Sequence, residues 1–240
     1  LALWSMVPVI GFGIWLGIKA ALNHNRPVDQ TLRVFAILGW SFPTFVFALL
    51  LLLVFYAKLG WFQPGRLSIG FSQEVLQPGF TKYTGMMTVD SLINLRFDIF
   101  IDALRHLIMP VVTLMVIQVA LLLKVTRSAM LEEMRQDYVT TARSKGLPEK
   151  LVVNRHIRRN ALIPVITVAG LTLAGLLNGV VITETVFNYP GIGSWAAAAA
   201  VSLDVLSMLG YALFTGVLIV FANLIVDILY AVLDPRVRLS

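Results

Sequence analysis

The sequence predicts an all-α fold, a polytopic bundle of five membrane-spanning helices. Three observations carry this prediction. Of the 240 residues, 58% are hydrophobic and only 13% are charged, with a mean hydropathy of +0.83. A water-soluble domain carries roughly a quarter charged residues because its surface faces water, so most of this surface must face something apolar. The apolar residues are also gathered into five runs of the length, about 20 residues, that a bilayer core requires. Finally, Lys and Arg are distributed unequally between the segments that separate those runs.

The runs cover residues 1–18, 34–57, 103–123, 161–183 and 207–233. Arg105 and His106 fall in the first turns of the third, where they can reach the headgroups and leave 107–123 for the hydrocarbon. Pro8, Pro43, Pro110 and Pro164 lie inside runs and predict kinks that neighbouring helices must accommodate. Gly13 with Gly17, and Gly175 with Gly179, have the spacing that lets two membrane helices approach closely.

Charge sets the orientation. Segment 19–33 holds Lys19, Arg26 and Arg33, and segment 124–160 holds Lys124, Arg127, Arg135, Arg143, Lys145, Lys150, Arg155, Arg158 and Arg159. With Arg236 and Arg238 in the tail, 14 of the 19 basic residues fall on one side. Lys58, Arg66, Lys82, Arg96 and Arg105 fall on the other, and segment 184–206 has none. The positive-inside rule makes the richer side cytoplasmic. Residues 1–240 then form a single membrane domain with a cytoplasmic C-terminus, extracytoplasmic loops at 58–102 and 184–206, and a cytoplasmic segment at 124–160. An odd number of crossings places Leu1 outside, so a sixth span is expected upstream in the intact subunit.

The net charge of +6 and pI near 9.8 do not predict a nucleic-acid binder, because the basic residues sit between apolar runs instead of on one solvated face. With no cysteine there is no disulfide framework or thiolate metal site. The run at 1–18, without a basic stretch before it, is not expected to be a signal peptide.

The most informative region is 124–160. Leu131, Met134, Tyr138 and Ala142 recur at helical spacing and predict one apolar face, on a helix closed at Gly146. Pro148 and Glu149 suit the first turn of a second helix running through Val153 and Ile157 towards the membrane. Two short amphipathic helices would thus meet at a corner beneath the bilayer. Their apolar face could pack on the inner ends of the spans, lie among headgroups, or receive another protein.

The run Asp137-Tyr138-Val139-Thr140-Thr141-Ala142-Arg143-Ser144-Lys145-Gly146-Leu147 resembles the EAA loop of ABC importer permeases, and more narrowly that of the dipeptide/oligopeptide/nickel branch. Arg158-Arg159-Asn160-Ala161-Leu162-Ile163-Pro164 agrees with this. So do Glu184-Thr185-Val186-Phe187-Asn188-Tyr189-Pro190-Gly191-Ile192-Gly193, Asn223-Leu224-Ile225-Val226-Asp227 and Leu233-Asp234-Pro235-Arg236. The likeness includes Ser41-Phe42-Pro43 and Leu59-Gly60-Trp61 and extends over essentially the whole chain, which looks like the first of two paralogous permease subunits. Thr140, Thr141 and Ala142 stand where the general motif has Glu-Ala-Ala, and the 18 residues from Gly146 to Pro164 exceed the general spacing; both departures are familiar within the branch.

The resemblance implies a type I ABC importer permease fold of six spans, five of them in this chain, in a bacterial or archaeal cytoplasmic membrane. It implies a non-catalytic subunit moving peptides or a similar small solute. Its partners would be membrane lipid, a paralogous permease, two ATPase subunits holding ATP and Mg, and an extracytoplasmic substrate-binding protein. ATPase coupling is expected at Thr140, Thr141, Ala142, Arg143, Ser144, Lys145, Gly146, Leu147, Glu149 and Leu151.

Further polar residues carry weaker signals. Glu184, Tyr189, Pro190, Gly191 and Trp195 are expected either at an outer gate or binding-protein docking surface, or in an interfacial loop anchored by Trp195. Asp227, four residues after Asn223 in the last run, sits at a depth where an ionisable group costs ~2.5–3.5 kcal/mol. A hydrogen bond or a pair with a rim arginine is favoured there over a proton or substrate site. Asp102, Arg105 and His106 read as an interfacial helix start. No phosphate-cradling loop of the G-x-x-x-x-G-K-[ST] type, no H-E-x-x-H and no G-x-S-x-G occurs, so this chain is not expected to bind nucleotide or to perform hydrolysis itself. The rival reading is an ion-gradient-driven secondary transporter or channel, which would place charged or unwound sites near the midplane.

Overall fold

The computed structural model describes residues 1–177 and 180–233, the side chains of residues 226, 227 and 229–233 excepted. The described residues form helices without any strand. In order these are α1 (Ala2–Leu22), α2 (Pro27–Ser41), α3 (Thr44–Leu51), α4 (Ile69–Glu74), α5 (Met87–Ile93), α6 (Phe97–Glu133), α7 (Asp137–Ser144), α8 (Glu149–Leu151), α9 (Arg158–Leu177), α10 (Val181–Val186), α11 (Ile192–Val201) and α12 (Val205–Leu233). Two π-helical segments interrupt the α geometry: Leu52–Lys58 continues α3, and Val152–Ile157 joins α8 to α9 without a break. Four helices are long and apolar enough to cross a membrane, and a fifth crossing results if α2 and the helix from Thr44 to Lys58 count as one broken span.

The kink expected at Pro43 within the run 34–57 is here a complete break between α2 and α3. Pro43 has no N–H to donate, and the residue before a proline is pushed out of the α region; Phe42 accordingly adopts φ −78°, ψ 125°. The third crossing is longer than expected: α6 has 37 residues, so Arg105 and His106 lie well inside it. The fourth begins at Glu149 and ends at Leu177, because nothing between Leu151 and Ala161 breaks the helix. Pro8, Pro110 and Pro164 are carried within continuous helices. Residues 58–102 contain α4 and α5; α11 lies within 184–206, whereas α10 crosses the expected boundary at 183/184.

The chain divides into two compact units, one comprising Leu1–Ser5, Pro43–Leu114 and Gly179–Met208, the other Met6–Phe42, Met115–Asn178 and Leu209–Ser240. In the first, Leu67, Val75, Met87, Ile99 and Ala103 form a small core under the 58–102 segment. Buried Asp90 organises that segment: its carboxylate accepts from the Thr84 and Gly85 amides at 2.8 and 2.9 Å and from the Thr84 hydroxyl at 2.8 Å. Trp4 Nε1 donates to the Thr88 hydroxyl at 3.1 Å.

In the second unit, α1 lies directly on α6. A Cβ on Gly13 would come within 2.5 Å of Leu122 Cβ, and one on Gly17 would overlap Thr126, so both positions are kept small by contact, as their spacing predicts. A Cβ on Gly175, by contrast, would meet nothing within 4 Å, and Gly179 lies outside the described residues. The contacts of α1 advance along α6 in the same direction, whereas those of α2 run the opposite way: Gly39 faces Val116 and Ala120, and Asp29 meets Arg127. Consecutive crossings alternate in direction, and these two do.

One apolar core then runs through this unit: Val9, Ile18 and Ala21 of α1, Leu122, Ala129 and Met130 of α6, Val139 and Ala142 of α7, Val152, Val153 and Ile157, and Ala161, Val165 and Ala169 of α9. The corner formed by α7, α8 and the helix entering α9 is therefore packed on the ends of its neighbouring spans.

Candidate functional site

The corner is built from local backbone chemistry. α6 ends at Glu133, and residues 134–136 turn the chain before Gln136, at φ −71° and ψ 148°, precedes α7. This turn corrects the expected single helical face through Leu131, Met134, Tyr138 and Ala142. It resets the helical phase, so Val139 and Ala142 are buried while Tyr138 turns outward. Asp137 occupies the first turn of α7 and Arg143 the last, each favourably placed in the helix dipole.

Gly146 ends α7 in the left-handed region, at φ +73°. The Gly146 amide donates to the Arg143 carbonyl at 2.9 Å and the Leu147 amide to the Ala142 carbonyl at 3.4 Å, the paired closure that a left-handed residue permits. Pro148 extends the chain and α8 begins at once. Across the tip, Arg143 Nε and Nη2 grip the two Glu149 carboxylate oxygens at 3.1 and 2.7 Å. This two-point geometry fixes direction as well as distance, and the carboxylate raises the Arg143 pKa.

At the base, the Tyr138 hydroxyl donates to Glu133 of α6 and accepts from Asn160 Nδ2 of α9 at 3.0 Å. Partial burial first, and then the Glu133 carboxylate, push the Tyr138 phenol above its ordinary value, so it remains a proton donor at neutral pH. Of the residues singled out in the sequence, Thr140, Thr141, Arg143, Ser144, Lys145, Gly146, Leu147, Glu149 and Leu151 are exposed, and Ala142 faces the core. The tip offers mostly polar groups, together with the apolar side chains of Leu147 and Leu151.

A second polar constellation lies in the other unit. Glu184 does not open a loop as expected: it belongs to α10, is 5% exposed, and accepts from the Ser194 amide at 2.6 Å in the first turn of α11. The Ser194 hydroxyl in turn accepts from the Gly191 amide at 2.9 Å. A Cβ on Gly191 would collide with the Glu184 carboxylate, so glycine is required there by space. Arg66 donates to the Pro190 carbonyl and lies 5.6 Å over the Tyr189 ring, and burial pushes the Tyr189 phenol up. Glu184, Tyr189, Pro190 and Gly191 are thus brought together, whereas Trp195 is 51% exposed on α11.

Arg66 was not legible as part of this clasp, nor were the pins behind it. Asp102 accepts from the Ser68 amide at 2.8 Å, and Arg105 Nη2 donates to the Trp61 carbonyl at 2.5 Å, so these residues tie 61–68 to α6 beyond merely starting a helix. Glu184→Ala removes the acceptor for a buried amide and should cost about 1–3 kcal/mol, read as a lower thermal midpoint in detergent. Glu184→Gln, which keeps a carbonyl oxygen, should lose less. Equal midpoints for all three proteins would contradict the clasp.

Over residues 12–239 the sequence matches the family described as the binding-protein-dependent transport system inner membrane component. The chain belongs to that family. Its relatives include the di/tripeptide transport system permease protein DppB of Pseudomonas aeruginosa, 41% identical over 239 residues that make up 99% of this chain and 69% of the relative. The probable D,D-dipeptide transport system permease protein DdpB of Escherichia coli is 39% identical, with 99% of this chain and 68% of the relative covered. The dipeptide transport system permease protein DppB of Haemophilus influenzae is 39% identical, with 98% and 67% covered. The permease fold expected from the sequence is the fold of this family.

One feature of this binding-protein-dependent permease escaped sequence reasoning entirely. Asp29 is fully buried, accepts from Arg127 Nε at 2.6 Å and Nη2 at 2.9 Å, and also accepts from the Asn25 amide at 3.0 Å. His24 and Arg33 stand 3.5 and 3.9 Å away. Asp29 and Arg127 are 98 residues apart, and each alone reads as an ordinary charge at a helix end. Asn223 is exposed on α12, and the Asp227 side chain lies outside the described residues.

Proposed function

We propose that this permease forms, with a paralogous second subunit, the translocation path of an ATP-driven importer of small peptides, and that the exposed tip at residues 140–151 receives the push of the ATPase subunits. One observation carries the reading: the apolar core that joins α1, α6 and α9 continues without interruption into α7 and the helix entering α9. A tip seated on that core moves with the spans. A loosely held loop would absorb a push locally, because interiors packed to crystal-like density transmit displacement.

In this reading ATP and Mg are held by the ATPase partners, and this chain contributes no catalytic group. Thr140, Thr141, Arg143, Ser144, Lys145, Gly146, Leu147, Glu149 and Leu151 form the contact, and Ala142 seats it. The clasp of Glu184, Tyr189, Pro190 and Gly191, with Trp195 beside it, faces the exterior and takes part in gating or in docking the binding protein. The charge asymmetry supports a cytoplasmic corner and C-terminus, and the peptide specificity named for the relatives supports the substrate class.

The test is reconstitution of the complete transporter in proteoliposomes with its binding protein. Uptake of a labelled di- or tripeptide should require ATP and all partner subunits. Uptake by this subunit driven by an ion gradient without ATPase would overturn the proposal.

A further inference from the structure

Pushing a tip moves two spans only if the tip is tied to both. The Arg143–Glu149 pair locks the apex of the corner and says nothing about its base. There α7 leaves α6 through the turn at 134–136 and stands beside the π-helical segment leading into α9. Val139 and Ala142 seat α7 through apolar contact, which is non-directional and allows sliding. A directional tie at the base requires a polar group that reaches both neighbours.

Tyr138 is that group. Its hydroxyl is spent on both sides at once, the proton on the Glu133 carboxylate at the end of α6 and a lone pair on the Asn160 amide in the first turn of α9. We infer that Tyr138 is the positioning residue of the corner, a pin whose single hydroxyl fixes α7 to the ends of both α6 and α9, so that displacement of the tip turns the two helices together. The three side chains come from three different helices, and removing one atom, the phenolic oxygen, releases both ties while leaving the ring in place.

The inference rests on the proposed role of the tip, and two measurements keep the two separable. In the reconstituted transporter, Tyr138→Phe should lower the peptide imported per ATP hydrolysed about tenfold, because both ties of the hydroxyl are lost together. Glu133→Gln keeps an acceptor oxygen and should retain most of that ratio, whereas Asn160→Leu, which removes the amide donor, should lower it. In the intact transporter, spin labels at Thr141 and Arg159 should give a narrow distance distribution that Tyr138→Phe broadens. An unbroadened distribution would refute the pin, and broadening with an unchanged import ratio would refute its transmitting role. If bulky replacements at Gly146 leave coupling intact, the reading of the tip fails while the distance measurement still decides the pin.

Discussion

Gly146→Val in the assembled transporter should abolish peptide uptake and its coupling to ATP hydrolysis while leaving membrane insertion intact. The reason is conformational. A Cβ at this position would meet nothing within 4 Å, so no clash forbids a side chain. The obstacle is φ +73°, where an L-residue with a Cβ is disfavoured by roughly 1–2 kcal/mol and a β-branched one by more. If valine leaves the left-handed region, the Gly146 and Leu147 amides lose the Arg143 and Ala142 carbonyls, and Glu149 no longer faces Arg143. Gly146→Asn is the control. Asparagine tolerates the left-handed region, so it should keep most of the uptake despite being larger than alanine. Loss of uptake with Asn equal to that with Val would point to the bulk of the tip, and full uptake with Val would remove the corner from the coupling path.

Asp29→Ala should destabilise the subunit by about 3–5 kcal/mol, because a largely buried Arg127 would be left without its counter-charge. Arg127 is 15% exposed and its partner fully buried, so water can compensate little of the loss. The Asn25 amide, on a residue at φ +60°, would lose its acceptor as well. The readout is the thermal midpoint and the yield of monodisperse protein in detergent. Replacing both residues, Asp29→Leu with Arg127→Met, should recover much of the stability, since an apolar pair carries no desolvation penalty. A double variant no better than Asp29→Ala would show that the pair contributes more than mutual neutralisation.

Sequence patterning made the bundle legible, because a run of apolar residues long enough to cross a bilayer has few other uses. The closure at Gly146 and the close approach of Gly13 and Gly17 could be read for the same reason: each is a local backbone or steric requirement written in one or two residues. Tertiary partners were not legible. The Arg127–Asp29 and Arg66–Pro190 contacts join residues far apart in the chain, and surface-like arginines give no sign of where they will dock. The turn at 134–136 is not legible because the apolar spacing of Leu131, Met134, Tyr138 and Ala142 continues straight through it. Only the backbone reveals the phase change that buries Val139 and turns Tyr138 outward. The place of Glu184 is not legible either: an acid after an apolar run resembles a loop start, whereas its role as an acceptor for Ser194 depends on α11 folding back towards it.

The two π-helical stretches, Leu52–Lys58 and Val152–Ile157, bear on how chain length can vary. Hydrogen bonds that skip five residues instead of four accommodate, in effect, one surplus residue within an otherwise regular rod. Shortening either stretch by one residue relaxes it to ordinary helix and leaves the facing of everything beyond it unaltered, whereas the same deletion elsewhere in α6 or α9 would rotate the remainder by about 100°. A one-residue deletion is therefore best accommodated at these two places, one of them immediately before the helical turn that carries Asn160.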